Sequence, residues 1–153
     1  MLRKEAADAL RLLRYKSEKV EEALVNDLFD DDFLVREKSA EALVNLGYKS
    51  EKLKQALLKA LKYEHWWVRQ SSVEALGRLG FKSENVEKAL LKALNDKDWW
   101  VIGKAAEALG NLGFTSQKVE RPLANAFNDN NNFVRGFAYE ALIKLGFIKQ
   151  EDK

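Results

Sequence analysis

The sequence predicts an all-α chain, a solenoid of antiparallel helix pairs, and three observations carry that expectation. It is self-similar without a gap at a period of 33 residues. Each copy holds two stretches whose apolar residues recur at the spacing of an amphipathic helix. Each copy also opens on serine and closes near glycine, residue types that start and stop helices.

The copies are SEKVEEALVNDLFDDDFLVREKSAEALVNLGYK (17–49), SEKLKQALLKALKYEHWWVRQSSVEALGRLGFK (50–82), SENVEKALLKALNDKDWWVIGKAAEALGNLGFT (83–115) and SQKVERPLANAFNDNNNFVRGFAYEALIKLGFI (116–148). Residues 2–16 match the second half of a copy, so residues 1–153 read as one domain, a half-repeat followed by four repeats.

Within a copy, the first helix is expected to follow Ser17, Ser50, Ser83 or Ser116 as N-cap, with Glu18, Glu51 or Glu84 in the positive first turn. Its apolar stripe is Val20, Ala23, Leu24, Leu28, then Leu53, Ala56, Leu57, Leu61. Polar runs rich in Asp and Asn break the chain, and a second helix carries Val35, Ser39, Ala42, Leu43 and their equivalents. Gly47, Gly80, Gly113 and Gly146 suit the left-handed position that ends it. Neither helix buries its stripe alone; stacking copies does, with Ala42, Ala75, Ala108 and Ala141 allowing close approach. Tyr15, Tyr48, Phe81 and Phe114 are expected to wedge against the next copy. Pro122 predicts a kink in the fourth first helix, or a helix beginning there.

Composition narrows the function classes. The 153 residues are 46% hydrophobic and 33% charged, with no apolar run long enough to span a bilayer. Charge appears already at Arg3 and Lys4, unlike a signal peptide, and a cytoplasmic location is expected. Cysteine is absent, which excludes disulfides and thiolate metal sites. Net charge is +2, from 26 basic and 24 acidic residues, a balance that argues against a dedicated nucleic-acid binder. His65 is the single histidine and has no companion at ligand spacing or in a nucleophile constellation, so neither metal nor catalysis is expected of it. The glycines end helices instead of opening them, so no phosphate loop is present and no cofactor is expected.

The strongest functional signal is aromatic. Just before the Val of each second helix stand Phe33 and Leu34, Trp66 and Trp67, Trp99 and Trp100, then Asn132 and Phe133. Neighbouring helical residues point about 100° apart, so both members of a pair cannot be buried easily. One turn on come Gln70, Gly103, Lys104 and Phe137; Gly103 is expected to leave a hollow beside Trp99 and Trp100 that could anchor a partner. A row of carboxylates, Asp8, Glu41, Glu74, Glu107 and Glu140, occupies one equivalent position, and Glu74 and Glu107 are expected to set charge preference. At the C-terminal end Phe137, Tyr139, Ile143, Phe147 and Ile148 are larger than their counterparts, which predicts a homodimer contact or cover by Lys149–Lys153.

The string VREKSAEALVNLG (35–47) and its three further copies resemble the short HEAT repeats of the phycobilisome-lyase type and the artificial repeat proteins derived from them. The resemblance implies a right-handed superhelix with second helices on the concave face. It also implies a ladder between repeats from Arg36, Arg69 and Arg135 to Asp31, Asp96 or their neighbours, interrupted where Ile102 replaces the Arg. The expected function is a non-catalytic scaffold whose aromatic concave surface recognises a protein or peptide. Alternatives are a nucleic-acid-binding protein similar to the HEAT-like DNA glycosylases, a bilin-lyase-like chaperone, or an engineered binder. A single histidine does not supply the His-Glu pairs of the HEAT-like deoxyhypusine hydroxylases.

Overall fold

The computed structural model of the protein describes residues 2–150, apart from the side chains of residues 2–4, 6 and 8–16. The described residues form eight α-helices and no strand. They divide into two compact units, Met1–Tyr48 and Lys49–Lys153. The first unit holds α1 (Leu2–Asp27) packed on α2 (Phe33–Asn45). The second holds α3 (Glu51–Ala60), α4 (Trp66–Arg78), α5 (Glu84–Ala93), α6 (Trp99–Leu112), α7 (Gln117–Phe127) and α8 (Asn132–Lys144).

Every second helix stops as its glycine dictates. Gly47, Gly80, Gly113 and Gly146 have φ of 72°, 75°, 73° and 79°, the left-handed region. The amides of the aromatic residues that follow reach back to Leu43, Leu76, Leu109 and Leu142 at 3.0–3.3 Å. These bonds satisfy carbonyls that the helix end would otherwise orphan.

Helix starts are more varied than the serine pattern implies. Ser50 accepts from the Leu53 amide at 3.0 Å and Ser83 from the Val86 amide at 3.3 Å, as expected. Ser17 does not stand at a helix start, because α1 runs straight through it for 26 residues. The physical reason is at residue 14: Arg14 stands where the other copies carry their left-handed glycine, so the half-repeat helix has no stop. Ser116 makes no capping bond; its hydroxyl donates to Glu87 at 3.3 Å. Pro122 lies inside α7, which begins at Gln117, so the helix does not start at the proline.

In Lys49–Lys153 each first helix packs on its own second helix, and α4, α6 and α8 pack side by side. A methyl group at Gly77 would lie 3.0 Å from Ala108 Cβ, and one at Gly110 would lie 3.0 Å from Ala141 Cα. Of the alanines expected to admit close approach, Ala108 and Ala141 do so because a glycine faces each. The first helices α3 and α5 do not pack closely on each other. The second helices therefore form the tighter layer of this unit. Leu53, Leu57, Leu76, Leu90, Val101, Leu109, Val119 and Leu123 are fully buried, each contributing about 1.5–3 kcal/mol of apolar transfer. Phe81 and Phe114 are buried and Tyr48 is half-buried, whereas the Tyr15 side chain is outside the described residues.

The arginine ladder is reduced to one rung among the described residues. Arg69 grips Asp96 with two bonds, Nε to Oδ2 at 2.8 Å and Nη2 to Oδ1 at 3.0 Å. Arg36 does not engage the Asp31 carboxylate; its Nη1 donates to the carbonyls of Asp30 at 2.9 Å and Asp31 at 3.1 Å. Its Nε is buried without a partner. Arg135 Nη1 donates to the Asp129 carbonyl at 2.7 Å, and its Nη2 to the Asn132 side chain. The role all three arginines share is local: each ties down the carbonyl six residues earlier and so fixes the turn that launches its own helix.

Candidate binding face

The aromatic pairs stand at the first residues of α4, α6 and α8 because the turns before them place the N-caps there. Asp98 accepts from the Trp100 amide at 2.9 Å, and Asn131 accepts from Phe133 at 2.8 Å and Val134 at 3.2 Å. His65 occupies the same position before α4 but makes no capping bond. Its ring stacks on Trp67 instead, centroids 4.4 Å apart and 11° from parallel.

The helical stagger separates the members of the two tryptophan pairs, whereas Asn132 and Phe133 are both exposed. Trp66 is 40% exposed, Trp99 42% and Phe133 58%, while Trp67 and Trp100 are half-buried. In the first unit Phe33 and Leu34 are both exposed. Trp99 of α6 stacks on Phe133 of α8, with centroids 5.3 Å apart and planes 21° from parallel. Trp100 meets Trp99, Phe133 and Phe137 edge-on at 5.1, 6.1 and 6.2 Å. The rings of α6 and α8 thus form one cluster whose outer edge faces water, while Trp66 and Trp67 of α4 contact each other and His65.

Behind that edge the surface is closed. The hollow expected beside Trp99 and Trp100 is absent, because Phe137 fills it: a methyl group at Gly103 would lie 2.7 Å from Phe137 Cδ2. Gly103 is buried and serves ring packing, not partner contact. Gln70 is also buried, its amide donating to Glu74 at 2.6 Å, so it is not a surface contact. Lys104 is held between the Trp100 and Phe137 rings, 5.3 and 5.2 Å from their centroids. Its ammonium lies 3.3 Å from Glu107 and 3.9 Å from Glu74. Arg78 Nη1 lies 4.0 Å from Glu74 as well, so two cations balance the two carboxylates of the expected row at this point. Glu41 lies 3.7 Å from Lys38, and the Asp8 side chain is outside the described residues. The residue order placed Trp100 and Glu107 one turn to either side of Lys104 on α6, but not Glu74 or Phe137, which come from α4 and α8.

At the C-terminal end Phe137 turns inward toward α6, away from the apolar cluster to which it was assigned. Tyr139, Ile143, Phe147 and Ile148 are half-buried, and the exposed Phe127 stacks on Tyr139 at 5.6 Å. Residues 151–153 of the tail expected to cover this end lie outside the described residues. Among the described residues no three His, Cys, Asp or Glu side chains gather as a metal-holding group. None of the described helices is long and apolar enough to cross a membrane.

The family model for HEAT repeats matches residues 1–77 and 87–152. The chain belongs to the HEAT-repeat family. No curated protein sequence matches this HEAT-repeat chain significantly. Among solved structures it is similar to human deoxyhypusine hydroxylase in complex with glycerol, with a TM-score of 0.60 and 24% identity over 84% of this chain and 44% of that one. An engineered protein gives a TM-score of 0.54 and 20% identity over 82% of this chain and 62% of its own. The complex of CpcE and CpcF of phycocyanin lyase from Nostoc gives 0.52 and 18%, covering 84% and 65%. The chain thus spans less than two thirds of each of these proteins. At such identities the likeness shows the α-solenoid fold of the HEAT-repeat class.

Proposed function

We propose that this HEAT-repeat chain is a non-catalytic scaffold that recognises a protein or peptide along the edge formed by Trp66, Trp99 and Phe133. The carrying observation is that Trp66 and Trp99, at equivalent helix starts, and Phe133, one position further along its own helix, stay substantially exposed while ring contacts fix their orientation. A ring held this way loses little freedom on binding, and tryptophan is the side chain that most often anchors an interface. Charge contributes little here, since Glu74 and Glu107 share Lys104. Affinity at this edge comes from apolar burial and changes little with salt. His65 is stacked on Trp67, and Lys104 is clamped between rings and carboxylates.

The test begins with a random-peptide library selected on the intact chain, followed by titration of the selected peptides. Trp99→Ala and Phe133→Ala should each weaken binding about 30-fold, the equivalent of a 2 kcal/mol anchor. Peptides indifferent to both substitutions would place recognition elsewhere.

A further inference from the structure

The first-helix layer of Lys49–Lys153 carries a surface of opposite character. Between α3 and α5, which stand apart, runs a groove with two adjoining cavities of about 310 and 550 Å³. They share Leu58, Lys62, Ala89 and Lys92 as lining residues. Its floor is apolar, from Leu58, Leu61 and Ala89. Its rim is basic, from Lys59, Lys62, Lys88 and Lys92, all exposed and none paired with a carboxylate among the described residues. The one carboxylate in the lining, Asp96, has both oxygens held by Arg69. Glu51, in the first turn of α3, is tied to Lys54 at 3.2 Å and Gln55 at 2.9 Å.

This concentration of charge is not a property of the repeat. The position of Lys59 and Lys92 holds Asn26 in the first copy and Asn125 in the last, and that of Lys62 holds Phe29, Asn95 and Asn128. Lysine in the last turn of a helix gains from the backbone dipole, which accounts in part for Lys59 and Lys92. It does not account for Lys62, beyond the end of α3, or for Lys88, in the middle of α5. Four ammonium groups around one apolar trough repel one another, and a ligand with carboxylates removes that repulsion on binding.

We infer that the α3–α5 groove docks an acidic amphipathic peptide segment, its carboxylates on Lys59, Lys62, Lys88 and Lys92 and its apolar side chains on Leu58, Leu61 and Ala89. The floor is what selects a peptide over a polynucleotide: a phosphodiester chain would meet the lysines and leave the trough unfilled. The groove and the aromatic edge lie on different helix layers, so either can be correct without the other.

The test uses the intact chain and a fluorescein-labelled peptide with Glu and Asp on one helical face and Leu and Phe on the other, read by fluorescence anisotropy. Saturable micromolar binding is expected, strongest at low salt. It should weaken at least about tenfold in Lys62→Glu/Lys92→Glu, with circular dichroism confirming that the helices tolerate a carboxylate near their C-terminal ends, and stay unchanged in Trp99→Ala. Ala89→Glu should weaken it as well, with helix content checked by circular dichroism. The inference is overturned if the peptide does not saturate the chain or if the double charge reversal leaves affinity unchanged. It is equally overturned if polyglutamate or an oligonucleotide binds as tightly, since the trough would then be a general anion patch.

Discussion

The glycines show at single-residue scale what a sequence can and cannot disclose. All four terminal glycines were legible, because the left-handed turn is a local demand. Gly103 and Gly110 were not, because what faces them comes from another helix. Alanine at Gly136 meets nothing within 4 Å and removes a flexible residue from a helix, so Gly136→Ala should stabilise the protein by about 0.5–1 kcal/mol. At Gly110 the same methyl presses on the Ala141 backbone, which cannot swing aside, and overpacking of about 1–3 kcal/mol outweighs the propensity gain. Urea titrations of the two variants should move in opposite directions. The arginine positions were equally readable, but their partners were not. Arg69 and Asp96 keep only 8% and 13% of their side-chain surface accessible, and this pairing raises the guanidinium above its ordinary pKa. Asp96→Asn leaves a buried cation half-satisfied and should cost about 2–3 kcal/mol in the same titration.

At the scale of the element, helix ends follow from short-range chemistry, and departures from the repeat pattern have local causes. Asp32, Asp98 and Asn131 cap α2, α6 and α8, while His65 leaves α4 uncapped. His65→Asp should therefore gain about 1 kcal/mol from the new cap, less what the ring loses by leaving Trp67, for a net rise in melting temperature. Ser83→Ala should lower stability by about 1 kcal/mol, and Ser116→Ala by much less, because only the first serine accepts a backbone amide. The missed helix start at Ser17 has the same lesson: a serine is a cap only where the chain has already been made to stop, and Arg14 does not stop it. The start of α3 titrates. The hydrogen bond from Gln55, then that from Lys54, holds the exposed Glu51 carboxyl below its ordinary value. Its small stabilisation is present above the usual carboxylate range and fades as pH falls through the folded value. Gln55→Ala should raise the Glu51 midpoint in an NMR titration.

At the scale of the molecule, the period made the helix-pair architecture plain, but the two units differ in what holds them together. In Lys49–Lys153 the layer α4–α6–α8 is drawn tight by Gly77 against Ala108 and Gly110 against Ala141. Within Met1–Tyr48 the described core is small, with Leu28 and Leu43 its large buried side chains, around one helix–helix interface. A helical hairpin of that size is marginal by itself. All four tryptophans, by contrast, lie in Lys49–Lys153. Far-ultraviolet circular dichroism therefore reports on both units, and tryptophan emission on one. In urea the dichroism should begin to fall before the emission shifts, the unequal loss expected where a repeat array does not unfold as one cooperative body. A chain beginning at Lys49 should keep the emission midpoint of the intact protein. Coincident transitions in the intact chain, together with loss of the emission transition in the shortened one, would show instead that the aromatic edge depends on the first two helices for its order.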